Sequence, residues 1–87
     1  MHELLVTTRL PVTAQSGIEA FGLVPIDGEG PGWRAVAVVQ RRDDGAEVIA
    51  LVAVDHDIRR RLLDGVTEEL RAAGCAKLWV DGNAAAL

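Results

Sequence analysis

Between Trp33 and Val54 the chain is apolar at almost every position outside a short charged turn. Trp33, Ala35, Ala37 and Val39 alternate with Val36 and Val38, and beyond the turn Val48, Ala50, Val52 and Val54 alternate with Ile49, Leu51 and Ala53. Successive side chains of a strand point to opposite faces of its sheet, so an antiparallel sheet with one wet face alternates apolar with polar residues. A hairpin that is apolar at both parities needs cover on both faces. Asp43-Asp44-Gly45 supplies the tight turn, and the pattern predicts strands over Trp33 to Arg42 and Ala46 to Val54.

One face can be covered from within the chain. After the hairpin, the apolar period changes from two to 3.6, with Ile58, Leu62, Leu63, Val66, Leu70 and Ala73 at helical spacing. This predicts a helix over 57–73, with Asp57 as N-cap and Gly74 as the stop. At about 1.5 Å per residue it spans roughly 25 Å, enough for one face only. The second face is left to the first hairpin folding over it, to a patch of small alanines, or to a partner, because large exposed apolar patches mark interaction sites.

Residues 3–14 alternate with Leu4, Val6, Thr8 and Leu10 on one face and Glu3, Leu5, Thr7 and Arg9 on the other, and Pro11 limits the far half of that strand. Gln15-Ser16-Gly17 is turn chemistry before a second extended run, Ile18 to Ile26, which Gly22 and Pro25 interrupt. Asp27 to Gly32 reads as a loop, and Cys75 to Asp81 as a short strand with Leu78 and Val80 on one face and Lys77, Trp79 and Asp81 on the other. The predicted order is β-β-β-β-α-β, a small α+β domain with a mainly antiparallel sheet and one helix packed on one face. A right-handed crossover places the last strand parallel to the fourth or near it. Ala84 to Leu87 looks like a linker preceding a tag, so the reading is one domain over 1–83 and a vector-derived tail over 84–87.

With 87 residues, such a domain buries only about 60% of its unfolded surface, and its core is thin. Nine basic residues against thirteen acidic ones give a net charge of −4 without a basic stripe, which disfavours nucleic acid as a partner. The single Cys75 closes no disulfide within the chain, and Met1 is followed by His2-Glu3 rather than by a basic and then an apolar stretch, which reads as a cytoplasmic protein. The apolar run Val48 to Val54 is far short of the roughly 20 residues that span a bilayer, so no membrane segment is expected.

The residues that carry chemistry are few. Gly28-Glu29-Gly30-Pro31-Gly32 lies between strands rather than before a helix, and so lacks the amide-rich helix end that binds phosphate. Asp55-His56-Asp57 reads as a helix entry, and no paired cysteines or His-x-x-x-His support a metal site. Cys75 and His56 fall at opposite ends of the helix, too far apart to form a nucleophile and base, and Ser16 sits in a turn. No catalytic residue, cofactor or metal is assigned, and an enzyme is not expected. Arg59-Arg60-Arg61 opposes the helix dipole at the first turn, which is offset by spacing to Asp57 and Asp64 or by an external anion. The candidate interface residues are Trp33 and Trp79 as anchors, Arg59 and Arg60 as anion contacts, and Ala35 and Ala37 on the sheet face.

Trp33 to Asn83, with two antiparallel strands, a helix and then a strand following LRAAGCAKLWVDGN, resembles the core of the GNAT acetyltransferases over a little more than half the chain. In that family the strand-to-helix junction carries a glycine-rich loop that binds the pyrophosphate of acetyl-CoA. Here the junction is Val54-Asp55-His56-Asp57-Ile58-Arg59-Arg60-Arg61, without glycine, and no site residue carries over. The leading expectation is a non-enzymatic protein–protein interaction module, a small homodimeric accessory or structural protein joined through a sheet face. One alternative is a small acidic inhibitor of the phage type that blocks a basic site. The other, implied by the resemblance, is a degenerate acyl-CoA-binding fragment.

Overall fold

The computed structural model describes residues 4–11, 17–26 and 32–87. The expected loop over 27–32 falls outside them except for Gly32, as do His2 and the Gln15-Ser16 part of the first turn. Seven elements follow one another: β1 (Leu5–Leu10), β2 (Ile18–Pro25), β3 (Ala35–Arg42), β4 (Gly45–Ala53), α1 (His56–Ala72), β5 (Lys77–Val80) and β6 (Asn83–Ala86). The strands form one sheet in the order β1-β2-β3-β4-β5-β6. Every neighbouring pair is antiparallel except β4 and β5, which are parallel because α1 carries the chain back between them. This is the α+β architecture the pattern predicts, with one strand more.

The added strand comes from Asp81-Gly82. Both residues have positive φ, 52° and 81°, the backbone of a two-residue hairpin turn whose twist matches that of its strands. Val80 then faces Asn83, and Lys77 faces Ala86. Leu87 continues past β6, donating its N–H to the Ala76 carbonyl at 2.9 Å and packing against the core.

A second departure lies in β4. Val38 pairs with Ala50, but Val39 pairs with Val48, so Ile49 is an extra residue in the ladder and the register shifts by one. The simple alternation groups Val48 with Ala50, Val52 and Val54. The bulge instead turns Val48 to the side of Leu51 and Ala53, where it packs against the core.

Asp55 caps α1, its carboxylate accepting the Ile58 N–H at 2.8 Å. The expected cap, Asp57, lies one residue inside the helix, where its charge favours the positive end of the dipole. At the other end Gly74 takes φ +91°, a conformation that a side chain disfavours, and Cys75 returns its N–H to the Leu70 carbonyl at 3.0 Å.

The helix buries Leu62, Val66 and Leu70 completely against Phe21, Leu23, Ala35, Ala37, Val39, Ala46 and Leu78. Each fully buried large side chain contributes about 1.5–3 kcal/mol. The alanines on the sheet side keep that surface low, and Gly65 lets the helix approach β1. A Cβ at Gly65 would lie 1.8 Å from Thr7 Oγ1 and 2.7 Å from Thr7 Cβ. Rotating the Thr7 hydroxyl relieves only the first clash, so an added methyl group has to push the backbones apart. Gly65→Ala is therefore expected to lower the unfolding free energy by about 1–3 kcal/mol despite alanine's better helix propensity, as measured by urea denaturation.

Candidate binding surface

The helix covers the face carrying Phe21, Leu23, Ala35, Ala37 and Val39. The opposite parity remains open, and the registers arrange it in rows across four strands. Thr8, Gly22, Val36 and Val52 form one row; Leu10, Ala20, Val38 and Ala50 form the next. Val6 and Val24 begin a third row, and beyond it the Ile26 N–H donates to the Leu4 carbonyl at 2.9 Å. The two central rows hold no charged residue. Val52 is 72% exposed, Val54 71% and Leu4 66%, and Ile26 and Val6 are exposed as well. Between these exposed β1 and β4 sides, Ala20 and Gly22 are buried among taller neighbours, and Leu10, Val36 and Val38 are half-buried, so the face is apolar across four strands but lowest along β2. Leu10 lies over Gly22, within 3.2 Å of where a Cβ would sit, and fills the dip in its row.

Toward the β3–β4 turn the same face becomes polar. Gln40 pairs with Glu47, and Glu47 with Trp79. Arg42 contacts Glu47 at 3.3 Å and lies 5.1 Å from the centre of the Trp79 ring. Trp79, an expected anchor, is thus a half-buried platform for Arg42. Trp33, the other, is 59% exposed at the entry to β3. Ala35 and Ala37 are buried beneath α1, so the open face is built from the alternate set, Val36 and Val38. Alternation finds both sets, but it cannot say which parity the helix will choose.

Arg59 and Arg60 belong to a different surface, at the start of α1. β5 pairs with β4 only along Gly45 to Glu47, and residues 48–53 of β4 have no strand on that side. A cleft of about 260 Å³ opens there, walled by Val48 to Leu51 on one side and Val80 and Asp81 on the other. Arg59 bridges its mouth by an ion pair with Asp81, at 3.1 Å. Arg60 is exposed beside His56 and Asp57. The helix end next to the cleft already carries the Asp55 and Asp57 carboxylates, one of which occupies the Ile58 N–H. Among the described residues, no three His, Cys, Asp or Glu side chains gather as a metal site. Among the same residues, no helix is long and apolar enough to cross a membrane.

The covered face ends in a charge network that the sequence pattern did not single out. Glu19 on β2 accepts hydrogen bonds from both Arg9 and Arg41. Arg9 lies 4.9 Å from the centre of the Phe21 ring, and Arg41 Nη1 reaches Cys75 Sγ at 2.9 Å. Charged residues ten and twenty-two positions apart carry no local signal; only strand pairing joins them. Partial burial pushes the Glu19 carboxyl up, but the hydrogen bonds and charges of Arg41 and Arg9 outweigh this and hold it below the usual carboxylate range. The Glu19 hydrogen bond in turn raises the Arg41 guanidinium.

No protein-family model, curated protein or solved structure matches the chain. A carboxyl whose pKa is depressed by folding stabilises the fold above its unfolded value, and that contribution disappears as the pH falls through the folded one. Stability should therefore fall below about pH 4, the ordinary glutamate range. Glu19→Gln should cost about 1 kcal/mol at neutral pH and flatten this acid limb, as measured by urea denaturation from pH 7 to pH 3.

Proposed function

We propose that this chain is a non-enzymatic interaction module of the cytoplasm that binds protein through its open sheet face. The observation that carries this reading is the uncharged pair of rows, Thr8-Gly22-Val36-Val52 and Leu10-Ala20-Val38-Ala50, bordered by exposed Leu4, Val6, Ile26 and Val54. The charged residues beside them, Arg42, Glu47 and Lys77, supply a polar rim of the kind that surrounds an interface core. The buried Cys75 suits a reducing compartment. A photo-reactive benzoylphenylalanine in place of Val52, in cells producing the chain, is expected to give covalent adducts with protein. The same group in place of Glu68, exposed on α1, is expected to give none. Absence of adducts at position 52 would count decisively against the reading.

A second reading is favoured by one feature, the divergence of β4 from β5 that leaves residues 48–53 bare beside Arg59. The GNAT-like layout suggests an acyl-CoA lying along that edge, its amides pairing with β4 and its phosphates near Arg59 and Arg60. Binding stabilises a native state by mass action. Millimolar acetyl-CoA should then raise the melting temperature, and Arg59→Ala should abolish the rise. An unchanged melting temperature in the parent chain removes this reading.

A further inference from the structure

We infer that the occupant of the open face is a second copy of this chain, packed sheet against sheet about a two-fold axis that runs along the strands. This rests on the interaction reading above and names its partner. The first argument is area. Four strands about 4.8 Å apart and five rows of side chains make a footprint of about 20 by 25 Å, on the scale of the roughly 800 Å² of accessible surface that each partner contributes to a standard interface.

The second argument is composition. A foreign partner is generally selected by complementary charge, and the two central rows offer none. Interfaces between identical subunits are the more apolar class. These rows consist of short and β-branched side chains, which present the low, flat surface that another sheet meets at about 10 Å. The chain carries a net charge of −4, and contact through an uncharged surface lets two such copies meet without opposing their charges.

The direction of the axis follows from the gradient along the face. A two-fold axis relating facing sheets lies in the plane between them. Placed across the strands, it would set Leu4, Val6 and Ile26 of one copy on Gln40, Arg42 and Glu47 of the other, covering charges with apolar groups. Along the strands it sets apolar rows on apolar rows and polar ends on polar ends. At the centre of the four strands, between β2 and β3, it also places the low Gly22 and Ala20 of each copy opposite Val36 and Val38 of the other.

Sedimentation equilibrium of the whole chain at 10–100 µM (roughly the range in which a standard interface is populated) is expected to give twice 9.3 kDa. Val52→Asp, at a side chain already exposed, is expected to leave the circular dichroism spectrum unchanged and to weaken the dimer at least about a hundredfold. Glu68→Lys on the far side of the molecule should leave the dimer intact. Val36→Cys, close to the axis, should be joined to its mate by a short bis-maleimide, while the parent chain with its buried Cys75 should not. A monomer throughout the concentration range overturns the proposal, and so does a dimer that Val52→Asp does not weaken. If position 52 then cross-links to a foreign protein, the interaction reading stands and the second copy alone is ruled out.

Discussion

A single helix can cover only one face of a sheet, and the organisation of this chain follows from that limit. The strands β2, β3 and β4 are apolar at both parities, so whichever side α1 takes, the other is left without internal cover. The helix takes the side where Ala35, Ala37 and Ala46 form a shallow surface and where Gly65 can come within contact of Thr7. Phe21, Leu62, Val66 and Leu70 then close a core in which, among the described residues, no polar side chain is buried. The Val36, Val38 and Val52 side is open as a consequence, not because it is more polar.

The two surfaces that could engage another molecule arise from different causes. The open face is a matter of parity and area: rows of short, uncharged side chains over four strands, with Arg42, Glu47 and Lys77 at one end. The cleft is a matter of strand length. β5 is four residues long and turns at Asp81-Gly82, whereas β4 is nine, and the unmatched half of β4 becomes the wall of a groove bridged at its mouth by the Arg59–Asp81 ion pair. Bare backbone on an edge and bare apolar side chains on a face call for different ligands, the first an extended polar chain and the second a flat apolar surface.

Charge is organised by the same sheet. Glu19 gathers Arg9 and Arg41 at the end of the covered face, and Arg41 reaches the thiol of Cys75 just past the helix. The network borders the core where α1 ends, so its carboxylate couples the strands to the helix terminus. Arg59, expected as an anion contact, pairs with the Asp81 carboxylate on the β5–β6 turn. In both cases the partner is supplied by strand order rather than by sequence spacing.

Much of this was legible in the residues alone: the central hairpin at Asp43-Asp44, the helix that follows, its stop at Gly74, the parallel return to β4 and the shortage of cover. These depend on local periodicity and turn chemistry, which a short window of sequence contains. The strand after Asp81-Gly82 was not among them: residues 84–87 read as a tail, because an alanine run carries little strand signal until a neighbour pairs with it. Tertiary structure alone decided which face the helix covers, because that choice depends on how closely α1 can seat against Ala35, Ala37 and Thr7. It also decided that Val48 turns inward, since a bulge at Ile49 is a property of two strands in register rather than of one strand's alternation. The side that α1 takes also made Ala35 and Ala37 core and left Val36 and Val38 half-exposed on the other face.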